Sequence, residues 1–172
     1  MLMRLMLKLT LAVAVVCLCA AAQEVQLSPV KGGIQFSVPA QQAYQLMPGE
    51  TKRPVLSVEC LQHKGKKGGH LVLFSPGGIV ASDQASGGSG AGIVLTVNGK
   101  KLASAWTVFG DTDSYIYAGA TDADRVQFLR SLLGSIVTIE FRPFLTGTPT
   151  TATFDLSNLA EAIRAHPECG AE

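Results

Sequence analysis

Three histidines, two carboxylate pairs, one serine in a glycine run and a small set of cysteines are the side chains here whose types and spacing could do chemistry. His63, His70 and His166 are the only histidines. Lys64, Lys66 and Lys67 lie between the first two and would repel a cation, and no C-x-x-C spacing occurs. No metal centre is expected, and the three read as ordinary surface histidines. Gly87-Gly88-Ser89-Gly90-Ala91 follows a G-x-S-x-G nucleophile elbow for four positions and fails at the fifth. It also precedes a strand pattern, whereas an elbow must join strand to helix, so Ser89 lacks the setting of a nucleophile; a hydrolase would need a histidine or carboxylate beside Ser75, Ser89 or another nucleophile. No helix opens at Gly92 to make the run a phosphate-binding loop. Asp111 with Asp113 and Asp122 with Asp124 could supply paired carboxylates for glycoside hydrolysis. The first pair falls in a turn and the second at a helix start, where acids are favoured anyway. No catalytic residue and no cofactor are expected.

The cysteines acquire meaning from the start of the chain. Arg4 and Lys8 precede an apolar run, Leu9 to Cys19, and Ala20-Ala21-Ala22 closes it before Gln23-Glu24. These are the three parts of a secretory signal peptide, with cleavage expected near Ala22. The apolar run is shorter than the roughly 20 residues a bilayer span needs, and no later stretch is long enough, so no stable membrane span is expected in the mature chain. Val16 before Cys17 and Leu18 before Cys19 do not suit a lipoprotein signal. Cleavage leaves Cys60 and Cys169, which would pair as a disulfide in an oxidising compartment. They stand 109 positions apart (169 − 60). Closing that loop would restrict the unfolded chain by on the order of 4–5 kcal/mol.

Charge narrows the partners. Without Arg4 and Lys8, twelve basic residues (14 − 2) face thirteen acidic ones, so the formal +1 becomes −1. A near-neutral domain has no general attraction for nucleic acid, and no nucleic-acid partner is expected. His63, Lys64, Lys66 and Lys67 form the one local basic cluster, readable as a solvated turn or as a contact for an acidic partner or the anionic cell wall.

The elements that must position these groups are mostly strands. Alternation marks Ile34–Val38, Val55–Cys60, His70–Phe74, Ile93–Val97, Ala105–Phe109, Ser114–Ala118, Ile136–Phe141 and Thr151–Leu156. Val55–Cys60 places Leu56, Val58 and Cys60 on one inward face. Met47-Pro48-Gly49-Glu50 is a turn, and Asn98-Gly99 between alternating runs predicts a type I′ hairpin. Leu61 to Gly69, rich in lysine and glycine, predicts an exposed hairpin loop, and Ala85 to Gly92 predicts a flexible one. Trp106 on its strand is expected in the core. Thr121 should cap a helix with Asp122 and Asp124 in its first turn, the stripe Val126, Leu129, Leu132 and Leu133, and Gly134 at its end. Asn158 with Glu161 should cap a second helix that Pro167 stops before Cys169. The expected architecture is an α+β domain, mainly antiparallel β, sandwich-like or a curled sheet, with two helices and one disulfide. Residues 1–22 would be the signal peptide, 23–53 an N-terminal extension with one strand, and 54–172 the β-rich domain.

The order of these pieces, with Leu56-Ser57-Val58-Glu59-Cys60 early, Trp106 central and Phe154-Asp155-Leu156-Ser157 leading through Ala162-Ile163 to Cys169, resembles exported type VI secretion accessory proteins of the TagO/VasI kind. It is also similar to the invasion-associated locus B proteins. The Gly65–Gly69 insert, the glycine-rich stretch near Gly88 and the absence of a cysteine-rich N-terminal part depart from that pattern. The resemblance implies a non-enzymatic periplasmic protein whose partner is an envelope or secretion-system protein. An inhibitor or immunity protein against a cell-wall hydrolase, using a loop at Lys64 to Gly69, is the alternative within binding proteins. An envelope hydrolase is the alternative of a different class.

Overall fold

Alternating apolar and polar residues build the centre of the larger sheet, and the apolar ones set its inner face. The computed structural model describes residues 23–63, 66–82, 92–110 and 113–169. Residues 1–22, expected to be a signal peptide, with Lys64, Ser89 and most of the glycine-rich stretch, and Asp111, lie outside the described residues.

Ten strands form two antiparallel sheets. The larger takes β1 (Gln26–Val30), β2 (Gly33–Pro39), β5 (Val55–His63), β6 (Lys66–Ser75), β9 (Trp106–Val108) and β10 (Tyr115–Tyr117), in the spatial order β1-β2-β5-β6-β10-β9. The smaller takes β7 (Val94–Val97), β8 (Lys100–Leu102), β11 (Ile136–Phe141) and β12 (Thr150–Asp155), in the order β12-β11-β7-β8. A separate hairpin joins β3 (Tyr44–Met47) to β4 (Glu50–Lys52) through the turn at Pro48-Gly49. The fold is therefore mixed α+β with antiparallel sheets and two helices.

Phe36, Val38, Leu56, Val58, Val72 and Phe74 on the larger sheet meet Leu95, Ile139, Phe141 and Phe154 on the smaller, all of them buried. Phe74 is the joint, set edge-on to Phe141 at 5.3 Å and to Phe154 at 6.3 Å between ring centroids. Such edge-to-face pairs add roughly 0.5–1.5 kcal/mol to the burial of the rings. Trp106 is buried as expected and meets Phe128 of α1 (Asp122–Leu132), whose ring also stacks on Tyr117 at 3.7 Å. Gln23 bridges the sheets, its amide nitrogen donating to the Pro39 carbonyl and its oxygen accepting from the Asp155 N–H at 2.7 Å. Residues 23–53, expected to hold one strand, supply four, and Phe36 and Val38 of β2 stand in the core.

Local signals account for several boundaries. Thr121 and Asp124 form a reciprocal capping box at the start of α1, and Gly134, at φ 71°, follows its end. Asn98 and Gly99 carry φ of 47° and 79°, as a type I′ turn requires. Asn98 also accepts from the Ile136 N–H at 3.0 Å, which pins the turn to β11.

Two local expectations fail. The Leu61–Gly69 loop is largely strand: Leu61 pairs with Gly69 and His63 with Lys66, across one irregularity, so the hairpin runs nearly to its tip. Backbone pairing continuous with the rest of β5 and β6 overrides the weak strand preference of glycine and lysine. Asn158 does not cap α2 (Leu159–Arg164) with its side chain, because its own backbone is already helical, at φ −88° and ψ −11°. Asp155 instead organises the entry by accepting from the Ser157 N–H at 3.0 Å.

Candidate functional site

The chain leaves β6 through Ser75-Pro76-Gly77-Gly78, and the residues after it build an apolar surface. Gly77 takes φ 85° against the Lys52 side chain, a conformation that favours glycine. Val80 then bridges to Pro143 beyond β11, the Ala81 N–H donates to the Arg142 carbonyl at 2.8 Å, and the Phe144 N–H donates to the Ile79 carbonyl at 2.8 Å. The last of these bonds sets the Ile79 backbone against Phe144, with Leu145 next in the chain, and the three residues are 61 %, 67 % and 63 % exposed.

This surface is braced. The Gly147 N–H closes the turn on the Pro143 carbonyl at 2.9 Å, and Thr150 donates to the Thr148 carbonyl at 3.2 Å. The Val80 N–H donates to the buried Tyr115 hydroxyl at 2.7 Å, and burial pushes that phenol upward. Tyr115 pairs with Val108, so β9 is linked to the same region, and Val108 and the following Phe109 are exposed too. Grouped large apolar side chains in water are costly to keep exposed and mark interaction sites. Ones already held in place lose little further freedom on binding.

No family model, curated protein or solved structure matches this chain.

The residues singled out from sequence fall elsewhere. His63 and Lys66 form the last backbone pair of the β5–β6 hairpin, with Lys67 next along β6. The other two histidines are not the surface residues expected. His70 is buried on the inner face of β6, where its Nε2–H donates to the Cys169 carbonyl at 2.6 Å. His166 is half-buried, its ring edge-on to Phe36 at 5.4 Å. The strand phase of Val72 and Phe74 reaches back to His70 and carried the signal that was missed.

Cys60 and Cys169 are both buried and form a close pair at 2.6 Å. Cys60 is also the cross-strand partner of His70. The sequence brought the two cysteines together but not the imidazole. Among the described residues, no group of three or more His, Cys, Asp or Glu is arranged to hold a metal ion, and no helix is long and apolar enough to cross a membrane. Asp122 and Asp124 serve α1: one accepts from the His70 backbone N–H at 3.2 Å, the other completes the capping box.

Ile79, Phe144 and Leu145 had no place in the sequence reading. The available signal was Pro143-Phe144-Leu145 inside an otherwise threonine-, glycine- and proline-rich connection, where large apolar residues have no core to enter.

Proposed function

We propose that this protein is exported to the bacterial envelope, is held by a Cys60–Cys169 disulfide, and acts non-enzymatically by docking another envelope protein on the Ile79–Phe144–Leu145 surface. The observation that carries the reading is the exposure of these three residues on two segments joined by backbone hydrogen bonds. The basic start, apolar run and alanine end of residues 1–22 support export. The resemblance to secretion accessory proteins supplies the class of partner, a component of an envelope or secretion assembly. In this reading the aromatic and leucine side chains enter an apolar pocket of the partner, the usual form of a binding hot spot.

The inhibitor reading draws on a separate observation, the paired β5–β6 hairpin that carries His63 and Lys66 to its tip. The two readings place the contact on different parts of the molecule.

A Phe144→Ser, Leu145→Ser double variant tests the choice. Loss of a central apolar anchor costs about 2 kcal/mol or more, near thirty-fold in affinity. Partner recovery should therefore fall at least thirty-fold while the melting temperature stays within a few degrees of the parent. Undiminished recovery, with loss instead on replacing Lys66 and Lys67, would transfer the function to the hairpin.

A further inference from the structure

His70 occupies a core position that its neighbours on β6 give to Val72 and Phe74. A polar ring there is unfavourable unless it has a partner, and its partner is the backbone of the residue that meets Cys60. The Cys169 carbonyl can only accept, so Nε2 carries the hydrogen and donates, at 2.6 Å. The Cys169 N–H is held from the other side by the His166 carbonyl at 2.8 Å, within the 3-10 turn Pro167–Cys169. Leu159 and Ile163 of α2 are buried in the core just before that turn.

Cys60 is fixed more firmly still. It lies in β5 between β2 and β6, opposite Ile34 and His70. A Cβ at Gly33 would lie 1.9 Å from the Cys60 carbonyl oxygen, a clash, so glycine is what lets β2 approach so closely. One cysteine therefore belongs to the middle of a sheet and the other to a short turn whose carbonyl is held by the His70 side chain.

We propose that His70 is the positioning residue of the Cys60–Cys169 pair: its Nε2–H holds the Cys169 turn against β5 while both thiols are reduced, so that the disulfide closes in a preformed arrangement. The inference rests on the disulfide proposed above. Closure needs an oxidant of the disulfide class. The Cys169 thiolate attacks one sulfur of that oxidant, forming a mixed disulfide and releasing one oxidant thiol. The turn docks on His70, the Cys60 thiolate attacks the Cys169 sulfur, and the second oxidant thiol leaves. Two electrons pass from the cysteine pair to the oxidant, and the two protons lost by the cysteines end on its thiols.

The test is the redox equilibrium of the purified protein in glutathione buffers, read by thiol alkylation, for the parent, His70→Phe and His70→Gln. Phenylalanine keeps the bulk and removes the donor; glutamine carries an N–H donor at the end of its side chain. The effective concentration of the pair should fall about tenfold in His70→Phe, the scale of one buried hydrogen bond, and recover most of that in His70→Gln. A purely structural role would destabilise the oxidised and reduced proteins alike and leave this ratio unmoved. An unchanged ratio in His70→Phe, or a glutamine variant as low as phenylalanine, would overturn the positioning role while the disulfide stands. A parent protein that forms no disulfide in any buffer would overturn both. If His70→Phe does not fold, His70→Met replaces it in the comparison with glutamine.

Discussion

Glu59 shows how a single side chain can reveal its surroundings. It sits on β5 between Ser57 and Leu61, with Gln35 and Leu71 as its cross-strand neighbours. Partial burial there lifts its carboxyl above the usual 4.5. A raised acid pKa means that folding disfavours the charged form, which fixes the sign of the pH dependence. Below pH 4.5 the group is mostly protonated in both states and its contribution is complete. As pH rises the unfolded chain ionises first, and stability is lost until the folded carboxyl has ionised too. Glu59→Gln should therefore be more stable than the parent near neutral pH, by less than about 1 kcal/mol because the group keeps solvent contact. The gain should vanish in acid, a contrast that urea unfolding at the two pH values can measure. A gain of equal size at both would contradict the burial argument. At this scale the sequence told less than the fold: alternation placed Cys60 inward, but only the paired register shows which residues crowd Glu59 or that His70 stands opposite Cys60.

Elements were legible where a local conformational demand set them. Thr121 with Asp124, Asn98 with Gly99, and Gly134 each meet a backbone requirement within a few residues, and each was readable without the fold. The extension of β6 through Gly68 and Gly69 was not, because distant pairing decides it. The same contrast separates the two helix starts. Thr121→Ala should cost about 1 kcal/mol by removing a side-chain cap in use. Asn158→Ala should change stability by less than about 0.5 kcal/mol, since its side chain makes no cap hydrogen bond. Denaturant midpoints of the two variants, measured side by side, distinguish a cap from a cap-like sequence; equal losses would contradict the assignment.

Across the whole molecule, the core is the part that patterning foretells and the apolar surface the part that it does not. Phe74, Phe141 and Phe154 lie on strands whose alternation points them inward. Phe144 and Leu145 have the same apolar character, and only the fold shows that their loop bends outward and is tied to Ile79. In the proposed function the pair at Cys60 and Cys169 maintains the scaffold while the loop at Phe144 and Leu145 presents the contact, so the two features serve separate ends. Site-specific photo-crosslinking in intact cells tests the contact most directly, with a benzophenone side chain at position 144 and, as a control, at exposed Lys101 on β8. One discrete adduct with an envelope protein is expected from position 144 and none from position 101. No adduct from 144, or the same adducts from both positions, would contradict the proposed contact.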